Sequence, residues 1–316
     1  MAKLWFLGEA LIDFVPMESG SVPAFASHCG GSPFNSAKAA RLAGADVGFL
    51  GPISTDFFGD RLYSDLVAHG IDTGSTPRPD APSTLAFVEL QDGQARYAFF
   101  NTGSAITQLA PTLGEFPGQP GDILGLGSVS LVAAPGADNI ARYAASVADR
   151  ATIALDPNAR PGVTPDPEDW RARVRSLADL AGVVKISDED LEFLVPGTSA
   201  TDFATAQLAR GTSLVVVTRG AEGAEAFTPG THLLRTPPKV DVADTVGAGD
   251  TITGFLLNGL SERGVTDRGA LRMLAEETVA DVLETAMTAA AITCTRVGCV
   301  PPTAQEVAQF RTELGG

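Results

Sequence analysis

The sequence predicts an α/β protein built on a mostly parallel sheet covered on both faces. Short apolar runs alternate with helical stretches along most of the chain, one Asp-Gly hairpin interrupts the alternation, and the last part is largely helical. At 316 residues, 44% hydrophobic and 19% charged, the chain has the composition of a folded protein with a large buried core.

The run 3–7 (KLWFL) reads as a buried strand ended by Gly8. In 32–44 (SPFNSAKAARLAG), Ser32 is expected to cap a helix, with Pro33 at its first position and Gly44 at its stop. A strand over 46–51 and a helix over 57–70 follow. The runs 84–90 and 94–100 are joined by Gln91-Asp92-Gly93, a strong hairpin signal, and read as a separate small sheet or lid. Alternation resumes with strands at 122–126, 151–155, 183–186 and 213–218. Helices lie between them near 137–149, 168–180, 188–194 and 201–210, and residues 248–295 are mainly helical. Ligands of such sheets bind just beyond the carboxyl ends of the strands.

Several classes are excluded. With Lys+Arg 22 against Asp+Glu 38, the net charge of −16 disfavours a nucleic-acid partner. No apolar run reaches the roughly 18 residues of a membrane span. The first residues, MAKLWFLGEALIDF, read as a strand rather than a signal peptide, because Glu9 and Asp13 interrupt them. Cys29, Cys294 and Cys299 suggest buried free thiols in a reducing cytoplasm rather than disulfides or a zinc site. His28, His69 and His232 lack metal-ligand spacing, and neither G-x-x-x-x-G-K-[ST] nor an early G-x-G-x-x-G is present.

Two glycine-rich segments carry the chemistry. Asp241–Thr251 (DVADTVGAGDT) precedes a long helix. Its Gly247–Gly249 turn supplies backbone N–H groups to an anion at a helix N-terminus, and Asp250 supplies a base beside an attacking hydroxyl. Gly30-Gly31-Ser32-Pro33-Phe34-Asn35 opens an earlier helix, where glycines admit a small polar ligand and Asn35 both donates and accepts.

Together these segments resemble a known family. GGSPFNSAKAARLAGADVGFLGPISTDFFGD is similar to the N-terminal signature of ribokinase-like (PfkB) carbohydrate kinases, and DTVGAGDTITGFLLNGL to their C-terminal signature. The likeness covers essentially the whole chain and is nearest to fructokinase-like members. It implies one kinase domain over 1–316, an α/β/α sandwich with a small β-sheet lid from about 11–29 and 84–101. It implies an ATP-dependent sugar kinase with Asp250 as base and the backbone of Gly247, Ala248 and Gly249 as the anion hole. Fructose is the expected acceptor; 2-keto-3-deoxygluconate, ribose or a nucleoside are the alternatives, and a non-catalytic sugar- or nucleotide-binding regulator is the reading from another class.

Further residues carry over singly. Asp13, Gly30, Gly31 and Asn35 match sugar-contacting positions, and Arg160 in DPNAR matches an arginine that meets a phosphate or acidic sugar. Phe99 or Phe100 covers the sugar's apolar face, and alternation lets only one point inward. Asn101 stands where many fructokinase-like members carry Arg. Lys185 and Ser187 match the phosphate side, with Asp190 or Glu189 for magnesium, directly or through water. Thr218 and Gly220 match the nucleotide turn. Met287 is expected beside the adenine where relatives place Asn. Asp244, with carbonyls near Val246 and Gly298, matches a monovalent-cation (potassium) site of several relatives. ATP, Mg2+ and K+ are the cofactors so implied, and a homodimer through the lid the assembly.

Overall fold

The computed structural model describes residues 1–17, 22, 24–91, 94–109 and 114–315. Eight strands form the main sheet: β1 (Leu4–Leu7), β4 (Val47–Phe49), β7 (Ile123–Gly127), β8 (Thr152–Asp156), β9 (Val183–Ser187), β10 (Leu214–Thr218), β11 (Ala224–Phe227) and β12 (His232–Arg235). Their order is β12-β11-β10-β9-β8-β7-β1-β4, parallel except for β11 and β12. Every residue of β1, β7, β8 and β10 is buried, which is why these strands read as unbroken apolar runs.

Helices cover both faces. On one side α1 (Ser32–Leu42), α2 (Phe57–Ala68), α7 (Ala248–Glu262), α8 (Arg268–Arg272), α9 (Glu276–Cys294) and α10 (Ala304–Gly315) pack around Phe6, Phe34, Phe49 and Leu256. On the other, α3 (Gly136–Val147), α4 (Pro167–Leu180), α5 (Asp188–Leu194) and α6 (Ala200–Arg210) enclose Trp5, Leu124, Ile140 and Trp170. The result is the expected three-layer sandwich. Among the described residues, no helix is long and apolar enough to cross a membrane.

A second sheet, ordered β3-β2-β5-β6, consists of β2 (Leu11–Met17), β3 (Ala24–Gly30), β5 (Thr84–Gln91) and β6 (Gln94–Phe100). Its strands cover much of the two segments expected to form a lid, β3 running one residue past the first; the Asp92-Gly93 turn lies outside the described residues. Phe14 stacks on Phe87 and meets Phe58 of α2 edge-on, tying this sheet to the main body.

Two expectations are corrected and one feature is new. Ser32 does not cap α1: Gly31 is the N-cap and Ser32 is the first helical residue, its hydroxyl being used elsewhere. The antiparallel edge of β11 and β12 was not expected. The three cysteines are free but only half-buried.

The feature that most directly positions the site is the contact of α1 with α7. A Cβ on Gly254 would lie 2.6 Å from the Ala40 nitrogen and 2.7 Å from the Ser36 oxygen. Only glycine lets the two backbones approach this closely. Gly254→Val is expected to destabilise the fold by about 1–3 kcal/mol through overpacking, measured by urea unfolding. An unchanged midpoint would show that the helices have slack.

Candidate active site

The order of strand addition reverses at β1: β4 is laid on one side of it and β7 on the other, all three parallel. The cleft opens there, beyond the carboxyl ends of the strands, as expected for open α/β sheets. It encloses about 520 Å³ and is lined by residues at the carboxyl ends of β7, β8, β9 and β10 and at the starts of α1 and α7, with the second sheet as its far wall.

Asp250 is its centre. It occupies the first turn of α7 and is 7% exposed. The hydroxyl of Ser32 donates to its Oδ1 at 2.6 Å, the Asn35 amide to its Oδ2 at 2.9 Å, and the Asn158 amide to Oδ1 at 3.3 Å. Oδ2 thus has one donor where Oδ1 has two. Burial pushes the Asp250 carboxyl above its ordinary value and Asp156 adds to this, while Ser32, Asn35 and Lys185 pull the other way.

The turn before Asp250 is held in a glycine conformation. Gly247 has φ +79°, and a Cβ there would collide with Cys299 Sγ. The α7 ladder begins with the Thr251 N–H donating to the Gly247 carbonyl. The expected anion hole of Gly247, Ala248 and Gly249 is corrected at Ala248, whose N–H turns to the Thr245 carbonyl at 3.3 Å; the amides of Gly249 and Asp250 are those the helix start leaves outside its ladder.

Beneath this turn lies a buried ion pair. Lys185 Nζ donates to Asp156 Oδ2 at 3.0 Å, and the Thr253 hydroxyl donates to the same oxygen at 2.7 Å. A Cβ on Gly249 would be 3.1 Å from Lys185 Nζ, so the ammonium sits against the start of α7. Burial opposes the Lys185 charge, but Asp156, Asp190 and Asp250 outweigh it and hold its pKa above the ordinary value. Asp156 Oδ1 is buried without a hydrogen-bond partner.

The remaining expected residues divide by position. Asp13 and Phe99 from the second sheet, and Gly31 and Asn35 from the start of α1, line the cleft. Gly30 leaves room for Asp13, whose Oδ2 a Cβ at 30 would strike. Burial, then the nearby Asp250 charge, push Asp13 up to about 6, with Arg160 opposing. Arg160 lines the same cleft, its guanidinium donating to the Ala159 carbonyl at 2.9 Å. Phe99 is the inward residue; Phe100 is 62% exposed and meets Phe87 edge-on.

Lys185, Ser187, Glu189, Asp190, Thr218 and Gly220 line the other half. Ser187 caps α5, accepting from the Asp190 N–H at 3.0 Å. Asp190 is buried and its Oδ1 accepts from the Ala159 N–H, whereas Glu189 is exposed to the cleft. Asp244 stands outside the lining, accepting from Val246 N–H at 3.0 Å and Gly298 N–H at 2.8 Å, so it joins the two segments expected around it. Asn101 and Met287 are not brought in either. Asn101 lies beyond the cleft wall, its carbonyl accepting from the Ser104 N–H and the Thr107 hydroxyl. Met287 is 3% exposed within the core of α9.

Sequence reasoning passed over Glu9, Ser32 and Thr253 as site residues. Glu9 stands two residues past β1 and is 1% exposed; its Oε1 accepts from the Ser32 N–H at 3.1 Å and its Oε2 from the Ser130 N–H at 3.0 Å. Its one sequence signal is a carboxylate at the carboxyl end of the first strand.

A match to the family described as pfkB family carbohydrate kinase spans residues 1–306. The chain belongs to the pfkB carbohydrate kinase family. This kinase is 34% identical over 273 residues to a fructokinase from Rhizobium leguminosarum bv. trifolii, covering 85% of this chain and 83% of that one. It is 35% identical to fructokinase-1 of Zea mays, covering 96% and 95% of the two chains. Its fold matches the fructokinase with bound ATP from Xylella fastidiosa with TM-score 0.91 and 26% identity over 99% of both chains. A Vibrio cholerae O395 fructokinase in its fructose, ADP and potassium ion bound form matches with TM-score 0.86 and 26% identity over 98% of both.

Burial pushes the Glu9 carboxyl up to about 7 from an ordinary 4.5. The folded state therefore favours the protonated form, and Glu9's contribution to stability is full below about pH 4.5 and lost as pH rises through about 7. The change is on the order of 3 kcal/mol. Urea unfolding of wild type and Glu9→Gln across this range should show a stability difference that drifts with pH in wild type's disfavour as pH rises. A constant difference would contradict the shift.

Proposed function

We propose that this kinase transfers the γ-phosphoryl group of ATP to a hydroxyl of fructose, with Asp250 as the general base. The observation that carries the reading is Asp250 itself. It is a buried carboxylate with a raised pKa, facing the cleft from the first turn of a glycine-led helix. A carboxylate whose proton affinity is raised above the ordinary is a better acceptor of a hydroxyl proton. The names of the relatives support fructose as acceptor.

The sugar would lie under the second sheet, which acts as a lid on the single domain. Asp13, Asn35 and the Gly30–Gly31 turn take its hydroxyls, Phe99 covers its apolar face, and Arg160 closes one side. Asp250 Oδ2, carrying the single donor, accepts the hydroxyl proton. The sugar oxygen bonds to the γ-phosphorus as the bond to the β–γ bridging oxygen breaks, and ADP leaves. Charge developing on the transferred group meets the amides of Gly249 and Asp250 at the positive end of α7, with the Lys185 ammonium behind them. Thr218, Gly220 and Ser187 border the nucleotide half. Met287 would support the adenine only from within the core.

The oxygen donors fit the expected ions. Glu189 and Asp190, through water, would hold the magnesium that neutralises the phosphate charge. Asp244, joining the Val246 and Gly298 segments, suits potassium. A second copy of the chain would cover Phe25 and Phe100, exposed on the second sheet. The protein would act in the cytoplasm, where its free thiols stay reduced.

Coupled ADP release with Mg-ATP over fructose, ribose, 2-keto-3-deoxygluconate and adenosine tests the reading. Fructose should give the highest kcat/KM. Asp250→Asn should lose about a hundredfold or more in kcat with little change in fructose affinity. Asp13→Ala should raise the fructose KM more than it lowers kcat. Preference for another acceptor overturns the substrate, near-normal turnover of Asp250→Asn overturns the base, and binding without turnover on every acceptor would indicate a regulator.

A further inference from the structure

We propose that Glu9 is a positioning residue for phosphoryl transfer: it fixes the backbone of Ser32, and Ser32 in turn fixes Oδ1 of Asp250. The inference rests on the reading of Asp250 as the base.

Helix α1 begins without a side-chain cap, because its N-cap is Gly31. The free N–H of Ser32 is met from outside the helix by Glu9 Oε1. Serine at a helix start commonly spends its own oxygen on a first-turn N–H. Ser32 stands one residue inside the helix instead, with its N–H on Glu9 and its hydroxyl donating to Asp250 Oδ1 at 2.6 Å. Gly31 makes the approach possible. It has φ +107°, and a Cβ there would lie 2.6 Å from the Glu9 carbonyl oxygen and 3.2 Å from its Cγ.

The second oxygen of Glu9 reaches a different loop. Oε2 accepts from Ser130 N–H, and the Ser128 side chain adds a further bond. Ser128 follows β7 with φ +64°, a left-handed conformation that a serine adopts only when its surroundings hold it. One carboxylate therefore ties together the loop after β1, the loop after β7 and the first turn of α1. Ser32, Ser128 and Val129 from the last two line the cleft. Among the described residues, Glu9 is met by N–H and O–H donors rather than by a Lys or Arg. A buried carboxylate with no cation beside it is costly for a protein to keep, unlike an ordinary strand-end residue. It holds one oxygen of the base still and leaves the other to take the proton.

The test is a kinetic cycle on the whole protein, with kcat and KM for fructose and for ATP in Glu9→Gln, Ser32→Ala, the double variant and Asp250→Asn. Glu9→Gln keeps the size and loses one acceptor. It should lower kcat about tenfold and leave the ATP KM within about twofold, a split that general loosening of the fold would not give. The double variant should be no slower than Ser32→Ala alone, because Glu9 acts through that hydroxyl. If Glu9→Gln does not fold, Glu9→Asp carries the charge on a shorter arm and should show the same non-additivity. The inference is overturned if Glu9→Gln or Glu9→Asp turns over like wild type while Asp250→Asn is inactive. It is equally overturned if the Glu9 and Ser32 losses multiply. An active Asp250→Asn would remove the base reading, and this inference with it.

Discussion

Asp250 hangs from the first turn of α7, yet two of the side chains holding its carboxylate come from the first turn of α1. These helices are separated by more than 200 residues of sequence in the case of Ser32 and Asn35. The bonds form because the helices touch backbone to backbone at Gly254, against Ser36 and Ala40. Much of the site follows from that contact. Lys185 and Thr253 meet on Asp156 beneath the same turn, and Gly247 fits against Cys299 above it. The sandwich core supplies the rigidity, since α1, α7 and α9 share one continuous apolar layer with the strands. A site built on packed helices holds a base more steadily than one built on loops.

The electrostatics have a similar economy. The carboxylates of Asp13, Asp188, Glu189, Asp190 and Asp250 line the cleft, with those of Glu9 and Asp156 close by, in a chain whose net charge is −16. Glu9, Asp13, Asp190 and Asp250 are each raised, with burial as the leading cause. Lys185 is the buried cation that holds the centre together, and its proximity to Gly249 places positive charge where an anion would meet α7. An acidic protein can thus present a locally favourable seat for a phosphoryl group, through one ammonium and a helix start rather than a basic surface.

Much of this was legible in the sequence because the signals are local. The buried strands announce themselves as apolar runs, and GAGD places a base directly after a glycine turn at a helix start. Asp13, Asn35, Arg160, Lys185 and Thr218 came from the family likeness, and the structure gathers them into one cleft. The failures are those of local rules overruled from far away. Ser32 has every local mark of a cap, but the helix starts one residue earlier at Gly31, and the Ser32 N–H and hydroxyl go to carboxylates 23 residues before it and 218 after it. Glu9 looked like an interruption of an apolar run, because its partners are backbone N–H groups that no residue type advertises. Strands β11 and β12 are only four residues each, and β12 alternates in burial, so neither reads as a buried run. Met287 sits on a helix whose apolar face is wide enough that pattern alone does not tell core from cleft.

The central claim is that Asp250, set by the α1–α7 contact, removes the proton in the chemical step. Its most direct test is the single-turnover rate of phosphoryl transfer to fructose, followed by rapid quench across pH in wild type and Asp250→Asn. The account predicts a wild-type rate that falls as pH drops through a raised carboxylate pKa, and a slow rate in the variant from which that limb has vanished. A variant that keeps the same acidic limb at a comparable rate would show that another group is the base.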